Sequence, residues 1–189
     1  MPVRIIKVET VYEGYMTLMS ATLRGEDGTT FTREIEHHGH AVAVLPYDDE
    51  RRTALLISLP RAPAIWAGGP TALLEAIAGM IDGEDPEACV RREALEEAGV
   101  ELGDLEAVGA PFASPGVSSE RLRLYLAPYR AADRTGAGGG LPEEHEMITV
   151  HEIPLAQLWD RLEAQQIEDM KTLTLILALR VRRPELFAR

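Results

Sequence analysis

The amino-acid sequence predicts an α/β or α+β fold. Three observations carry that reading. Apolar runs of strand length recur along the chain, segments with helical start and stop signals stand between and after them, and neither kind is confined to one half. The 189 residues suffice for one domain with its own core, plus a small appended unit.

Val3 to Tyr12 is rich in β-branched residues and reads as a strand. Met16 to Leu23 follows. The turn signal Glu26-Asp27-Gly28 leads into Thr29 to Glu36, which makes the pair a hairpin. These first forty residues are too few for a core, so they must lean on the rest of the chain or on a second chain. Ala41 to Leu45 and Thr53 to Leu59 flank the polar segment Asp48-Asp49-Glu50-Arg51-Arg52 and read as two buried strands joined by a loop. Pro60 to Thr71 reads as loop, with three prolines and two glycines.

Asp85-Pro86 opens a helix, because Asp85 can cap it and Pro86 fits its first turn. Gly99 stands where that helix would end in a left-handed residue. Leu122, Leu124 and Leu126 alternate with Arg121, Arg123 and Tyr125, the pattern of a half-buried strand. Ala131 to Glu144, with Gly138-Gly139-Gly140, reads as a mobile loop. Met147 to Ile153 reads as a strand. Leu155 to Gln165 and Asp169 to Arg182 read as helices, stopped before Pro184. No internal repeat is visible.

Composition narrows the function. Nineteen basic against 31 acidic residues leave a net charge of −12. Such a surface repels phosphate backbones and anionic lipid, which argues against a nucleic-acid polymer or a membrane as partner. A pyrophosphate substrate would need metal cations and local arginines to reverse the sign at its site. The single cysteine, Cys89, allows no internal disulfide and fits a reducing cytosol. No apolar run reaches transmembrane length and no signal-peptide pattern opens the chain, so the expected location is cytoplasmic.

The chemistry concentrates between Ala78 and Val100. On a helix, Glu93 and Glu97 lie one turn and about 40° apart, and Glu96 lies within about 100° of both. Val90, Ala94 and Ala98 turn to another side, where they can pack on a sheet. Two glutamates at this spacing repel, and no cation on their stripe offsets them. A hard divalent cation would, since Mg²⁺ takes oxygen ligands and shares itself with substrate phosphates. A solvated acidic face is the commoner explanation of such a pair taken alone, so the surrounding order of residues decides.

That order resembles the Nudix box. Glu84, seven residues, Arg92-Glu93, Glu96-Glu97 and Gly99-Val100 match it. The chain departs twice: four residues rather than five separate Gly79 from Glu84, and Ala94 replaces a larger apolar residue. The shortened turn leaves Glu84 or Asp85 for the first acidic role, with the helix count favouring Glu84. Glu75-Ala76-Ile77-Ala78-Gly79 is similar to the entry to the box in ADP-ribose pyrophosphatases, and closer still to the GDP-mannose hydrolase branch. Ser114-Pro115-Gly116, Ser119-Glu120, Glu144-His145-Glu146, Arg61 and Ile167 to Thr172 extend the resemblance.

The resemblance implies an α/β/α sandwich with a mixed sheet (residues 41–189, catalytic) and a small N-terminal β unit (residues 1–40) used for homodimerisation. It implies hydrolysis of the pyrophosphate of a nucleoside diphosphate sugar, of GDP-mannose or ADP-ribose type, with Mg²⁺ as cofactor and Mn²⁺ as the alternative. The implied metal ligands are Glu93, Glu97, Glu146 and the backbone carbonyl of Ala78. Glu96 assists, Arg92 orients a carboxylate, and Glu144 or another loop carboxylate is the base. Arg61 and Glu120 bind substrate, Arg61 across the dimer.

A non-catalytic nucleotide-binding sensor or interaction domain is the rival reading. An acidic structural protein has only the net charge in its favour. His37, His38 and His40 suit a surface or dimer-interface role better than a metal cluster. Cys89, with no basic partner in view, is expected to be inert, and Trp66 either stacks on a base or packs in its loop.

Overall fold

The computed structural model describes residues 3–141 and 147–188. The chain divides into two compact units, Met1–Ala41 with Ala110–Leu122, and Val42–Gly109 with Arg123–Arg189. The N-terminal unit expected over residues 1–40 thus takes in a second segment, 110–122.

In the first unit β1 (Arg4–Glu13), β2 (Thr17–Arg24) and β3 (Thr30–His37) form an antiparallel sheet in that order. The β2–β3 turn closes on Asp27, whose Oδ1 accepts from the Thr29 amide at 3.0 Å and hydroxyl at 2.6 Å, while Gly28 supplies the left-handed φ of 84°. Residues 117–119 lie along β3, where Glu36 and Ser118 form a parallel bridge. All ten residues of β1 are exposed.

The second unit is a sheet with helices. Its strands are β4 (Ala41–Asp48), β5 (Thr53–Leu59), β6 (Leu73–Glu75), β7 (Ile77–Met80), β8 (Glu106–Gly109), β9 (Leu122–Pro128) and β10 (Thr149–Pro154). Among the described residues the sheet runs β10-β5-β4-β9-β8, with β6 on β5 and β7 on β4. Among the described residues four α-helices accompany it: α1 (Ala62–Trp66), α2 (Pro86–Ala98), α3 (Leu155–Glu163) and α4 (Met170–Arg182). The expected class, α/β with a mixed sheet, is the one found.

Alternation explains the core. Val42, Val44, Leu55, Ile57, Tyr125 and Ala127 form one cluster with Val90, Ala94 and Ala98 of α2. The intervening Ala43, Leu45, Ala54, Leu56, Leu124 and Leu126 face the other way and are equally buried, so the sheet is covered on both faces. Leu155, Leu158, Leu175, Ile176 and Leu179 of α3 and α4 are buried as well.

Sequence pattern places most elements to within a few residues. It reads Pro60 to Thr71 as loop, whereas Ala62–Trp66 is helical, with Pro63 in the first turn where its missing N–H costs nothing. The short strands β6, β7 and β8 carry no periodicity to read and exist through their pairing. Among the described residues no helix is long and apolar enough to cross a membrane.

Candidate active site

Helix α2 is set by local chemistry at both ends. The Asp85 carboxylate accepts from the amides of Glu87 at 3.0 Å and Ala88 at 3.2 Å, and Pro86 stands in the first turn. Gly99 ends the helix at φ 63°, and the Val100 amide reaches back to the Ala94 carbonyl at 3.2 Å. Because Val90, Ala94 and Ala98 are buried against the sheet, the register of the acidic residues is fixed. Ala94, where the box has a larger side chain, is fully buried.

Two of those acidic residues meet consecutive residues of β7. Glu97 is 2% exposed, and its Oε2 accepts the Ala78 N–H at 3.1 Å. Glu93 packs on Gly79 so closely that a Cβ there would lie 2.0 Å from the Glu93 carboxyl carbon. Gly79 is therefore a cradle for that carboxylate, and the sequence pattern's glycine has a steric reason. The shared strand brings Ala78, Glu93 and Glu97 to one place.

Arg92 gathers the remaining charges. Its guanidinium lies 2.7 Å from Glu84, 2.9 Å from Glu93 and 2.8 Å from Glu96. With Asp85 engaged as the cap, Glu84 is the partner of Arg92, and the hydrogen bond from Arg92 holds the Glu84 carboxyl below its usual range. Burial, reinforced by Glu84 and Glu93, pushes the Cys89 thiol up to about 12, so this cysteine carries no thiolate near neutral pH.

The triple glycine departs from the expectation of a merely mobile loop. In its described part, 131–141, the segment closes the C-terminus of α2. The amides of Gly139 and Gly140 donate to the carbonyls of Glu97 at 2.9 Å and Glu96 at 3.1 Å, two acceptors left open by the helix end. Thr135 and Gly136 donate to the Gly99 carbonyl at 2.9 and 3.2 Å. Gly138 has φ 69°, and a Cβ there would lie 2.4 Å from the Glu97 carbonyl oxygen. Close approach is thus one reason for glycine here, beyond any flexibility. Glu144 and Glu146, which follow this segment, lie outside the described residues.

Arg61, expected at the substrate, precedes the first residue of α1 and donates two bonds to Glu75, from Nε at 2.8 Å and Nη2 at 3.1 Å. Glu75 is 2% exposed and also accepts from Lys171 at the start of α4. Burial alone would raise the Glu75 carboxyl, but Arg61 and Lys171 outweigh it and hold it low. Lys171 lies 3.1 Å from Asp169, and the Thr172 hydroxyl accepts the Ala76 amide at 2.6 Å. In the sequence Glu75 and Lys171 stand out only as parts of motifs. Their pairing joins residues 96 positions apart, which no local pattern reveals.

Glu120 lies in the first unit, its carboxylate 3.4 Å from His38. Trp66 is 91% exposed, so a packing role within the described chain is excluded. Among the described residues no three imidazole, thiol or carboxylate groups are grouped so as to hold a metal by themselves. His37, His38 and His40 accordingly make no such cluster.

Residues 37–173 match the NUDIX domain family. The chain belongs to the Nudix family of hydrolases. It is 33% identical over 180 residues to the GDP-mannose pyrophosphatase of Escherichia coli (strain K12), covering 92% of this chain and 93% of that protein. The GDP-mannose pyrophosphatase of Citrobacter koseri aligns with the same identity and coverage. A crystal structure of an ADP compounds hydrolase superposes with a TM-score of 0.77, covering 98% of this chain and 96% of that one at 23% identity, and so shares the fold.

Proposed function

We propose that this protein hydrolyses the pyrophosphate bond of a nucleoside diphosphate sugar, with GDP-mannose as first candidate and ADP-ribose as second. The reading is carried by one observation: Glu93 and Glu97 both close on β7, at Gly79 and Ala78. Identity across nearly the whole length of the GDP-mannose pyrophosphatases supports the substrate class.

A hard divalent cation fits these residues. The donors are all oxygens, and the Gly79 cradle leaves the Glu93 carboxylate against the strand where a side chain would displace it. Glu93, Glu97, the Ala78 carbonyl and Glu146 would hold it. The set needs only two helix carboxylates from the described residues. Bound there, Mg²⁺ would offset phosphate charge and acidify a water.

The chain's own residues do the rest. Arg92 neutralises and orients Glu84, Glu93 and Glu96, and so supplies to Glu93 the cation that helix spacing alone did not lead one to expect. Arg61 and Glu120 contact the substrate, Arg61 with its guanidinium plane set by Glu75. Glu144 takes a proton from the attacking water. The water oxygen bonds to one phosphorus as the bond to the bridging oxygen breaks, giving a nucleoside monophosphate and a sugar phosphate. The functional unit is a homodimer formed through the first unit, whose β1 exposes Ile5, Val8, Val11 and Tyr12.

The test is turnover of GDP-mannose, ADP-ribose, UDP-glucose and a dinucleoside polyphosphate with Mg²⁺, products resolved by chromatography. GDP-mannose should give GMP and a mannose phosphate with the highest kcat/KM. Tight ligand binding without turnover of any member would favour the sensor reading.

A further inference from the structure

His37, His38 and His40 meet three consecutive residues of the 110–122 segment in the same order. His37 Nδ1 lies 2.7 Å from the Ser119 hydroxyl, His38 Nε2 lies 3.4 Å from Glu120, and the Arg121 amide donates to His40 Nδ1 at 3.2 Å. The backbone runs in step. Glu36 donates to Val117 at 2.8 Å, Ser119 to Glu36 at 3.0 Å and Ala41 to Arg121 at 3.0 Å.

His38 differs from the other two in meeting carboxylates on both ring nitrogens, Glu36 at Nδ1 and Glu120 at Nε2. The side chains of His38, Glu36 and Glu120 are 20%, 17% and 16% exposed. Tyr15 stacks on the imidazole with ring centroids 6.3 Å apart. A neutral imidazole has one N–H and can serve one carboxylate only, whereas the imidazolium donates to both. Burial disfavours the cation, but Glu36 and Glu120 outweigh it and raise the His38 proton affinity above its ordinary value. His37 is the remaining titratable group acting on Glu36, and burial there is likewise outweighed, by Ser118 and the two histidines, so the Glu36 carboxyl is held low.

We infer that His38 is a positioning residue: as the imidazolium it bridges β3 to Glu120, fixes the 117–121 stretch, and so couples affinity for the nucleotide sugar to pH. The inference rests on the reading of Glu120 as a substrate contact. A group whose proton affinity rises on folding contributes in full below its unfolded value. Its contribution is lost as pH climbs through the higher folded value. The bridge therefore holds at and below about pH 6.5 and opens on the alkaline side.

The experiment measures KM and kcat for GDP-mannose from about pH 6 to about pH 9, beside amide exchange of residues 117–121 corrected for intrinsic rates. In the wild type KM should rise several-fold across the range with kcat steady, and protection should fall in step. His38→Gln should show the high KM at every pH, and His37→Gln should keep the wild-type profile. Protection and KM that stay flat in the wild type, or a wild-type profile in His38→Gln, would overturn the inference. Glu120→Gln with unaltered KM would remove the Glu120 reading, and this inference with it, while leaving the pyrophosphatase reading standing. Should no substrate of the panel turn over, the exchange arm alone decides the bridge.

Discussion

β4 and β1 are strands of similar length and similar aliphatic content with opposite fates. All eight residues of β4 are buried, and all ten of β1 are exposed. β4 lies inside its sheet, with β5, β7 and β9 beside it, and owes its burial to side chains of the same unit. β1 forms the edge of a three-stranded sheet and leaves Ile5, Val8, Val11 and Tyr12 between 47% and 63% exposed. The difference teaches where each region's function lies. β4 anchors β7, and β7 presents Ala78 and Gly79 to the glutamates of α2, so that region works through packing. The apolar edge of β1 is left open, and association is the role proposed for it.

Four variants can break or sharpen the contrast. Glu97→Gln keeps the shape of the buried side chain and its bond to Ala78 but removes the charge. Turnover should fall by more than the roughly 100-fold typical of losing a group that only supports a metal ligand, with the circular dichroism spectrum unchanged. Gly79→Ala should be next, because the new Cβ must displace Glu93. A loss of about 10- to 100-fold in kcat is expected, with little change in melting temperature. A full-activity Gly79→Ala enzyme would show that the cradle is incidental. In the other region, Val8→Glu with Val11→Glu should halve the mass seen by light scattering and raise KM while leaving the second unit folded. An unchanged mass would place the interface elsewhere. The smallest effect belongs to Gly138→Ala. It should destabilise the protein by about 1–3 kcal/mol, since both its φ and its contact with the Glu97 carbonyl exclude a side chain.

The same contrast decides what was legible in sequence. The α2 helix was, because Asp85, Pro86 and Gly99 act on their own neighbours and the glutamate spacing follows from helical geometry. The strand Thr53–Leu59 was, because a short apolar run between polar turns has few other readings. Features that join distant positions were not. The Glu75 pairing with Lys171 and the meeting of His38 with Glu120 exist only once the chain has folded. The sequence showed a glycine triplet, but not that its amides close the helix carrying Glu96 and Glu97. The short strand β7 had no pattern of its own, yet it is the surface that Glu93 and Glu97 meet.

Glu93 and Glu97 converge at β7, where they are proposed to carry the divalent cations that a diphosphate needs. Mn²⁺ binding to the purified protein, followed by the loss of the free-ion paramagnetic resonance signal, tests this most directly. The wild type should bind Mn²⁺ in competition with Mg²⁺, and a protein carrying Glu93→Gln and Glu97→Gln should bind none at the same concentrations. Equal binding by the two proteins would contradict the account.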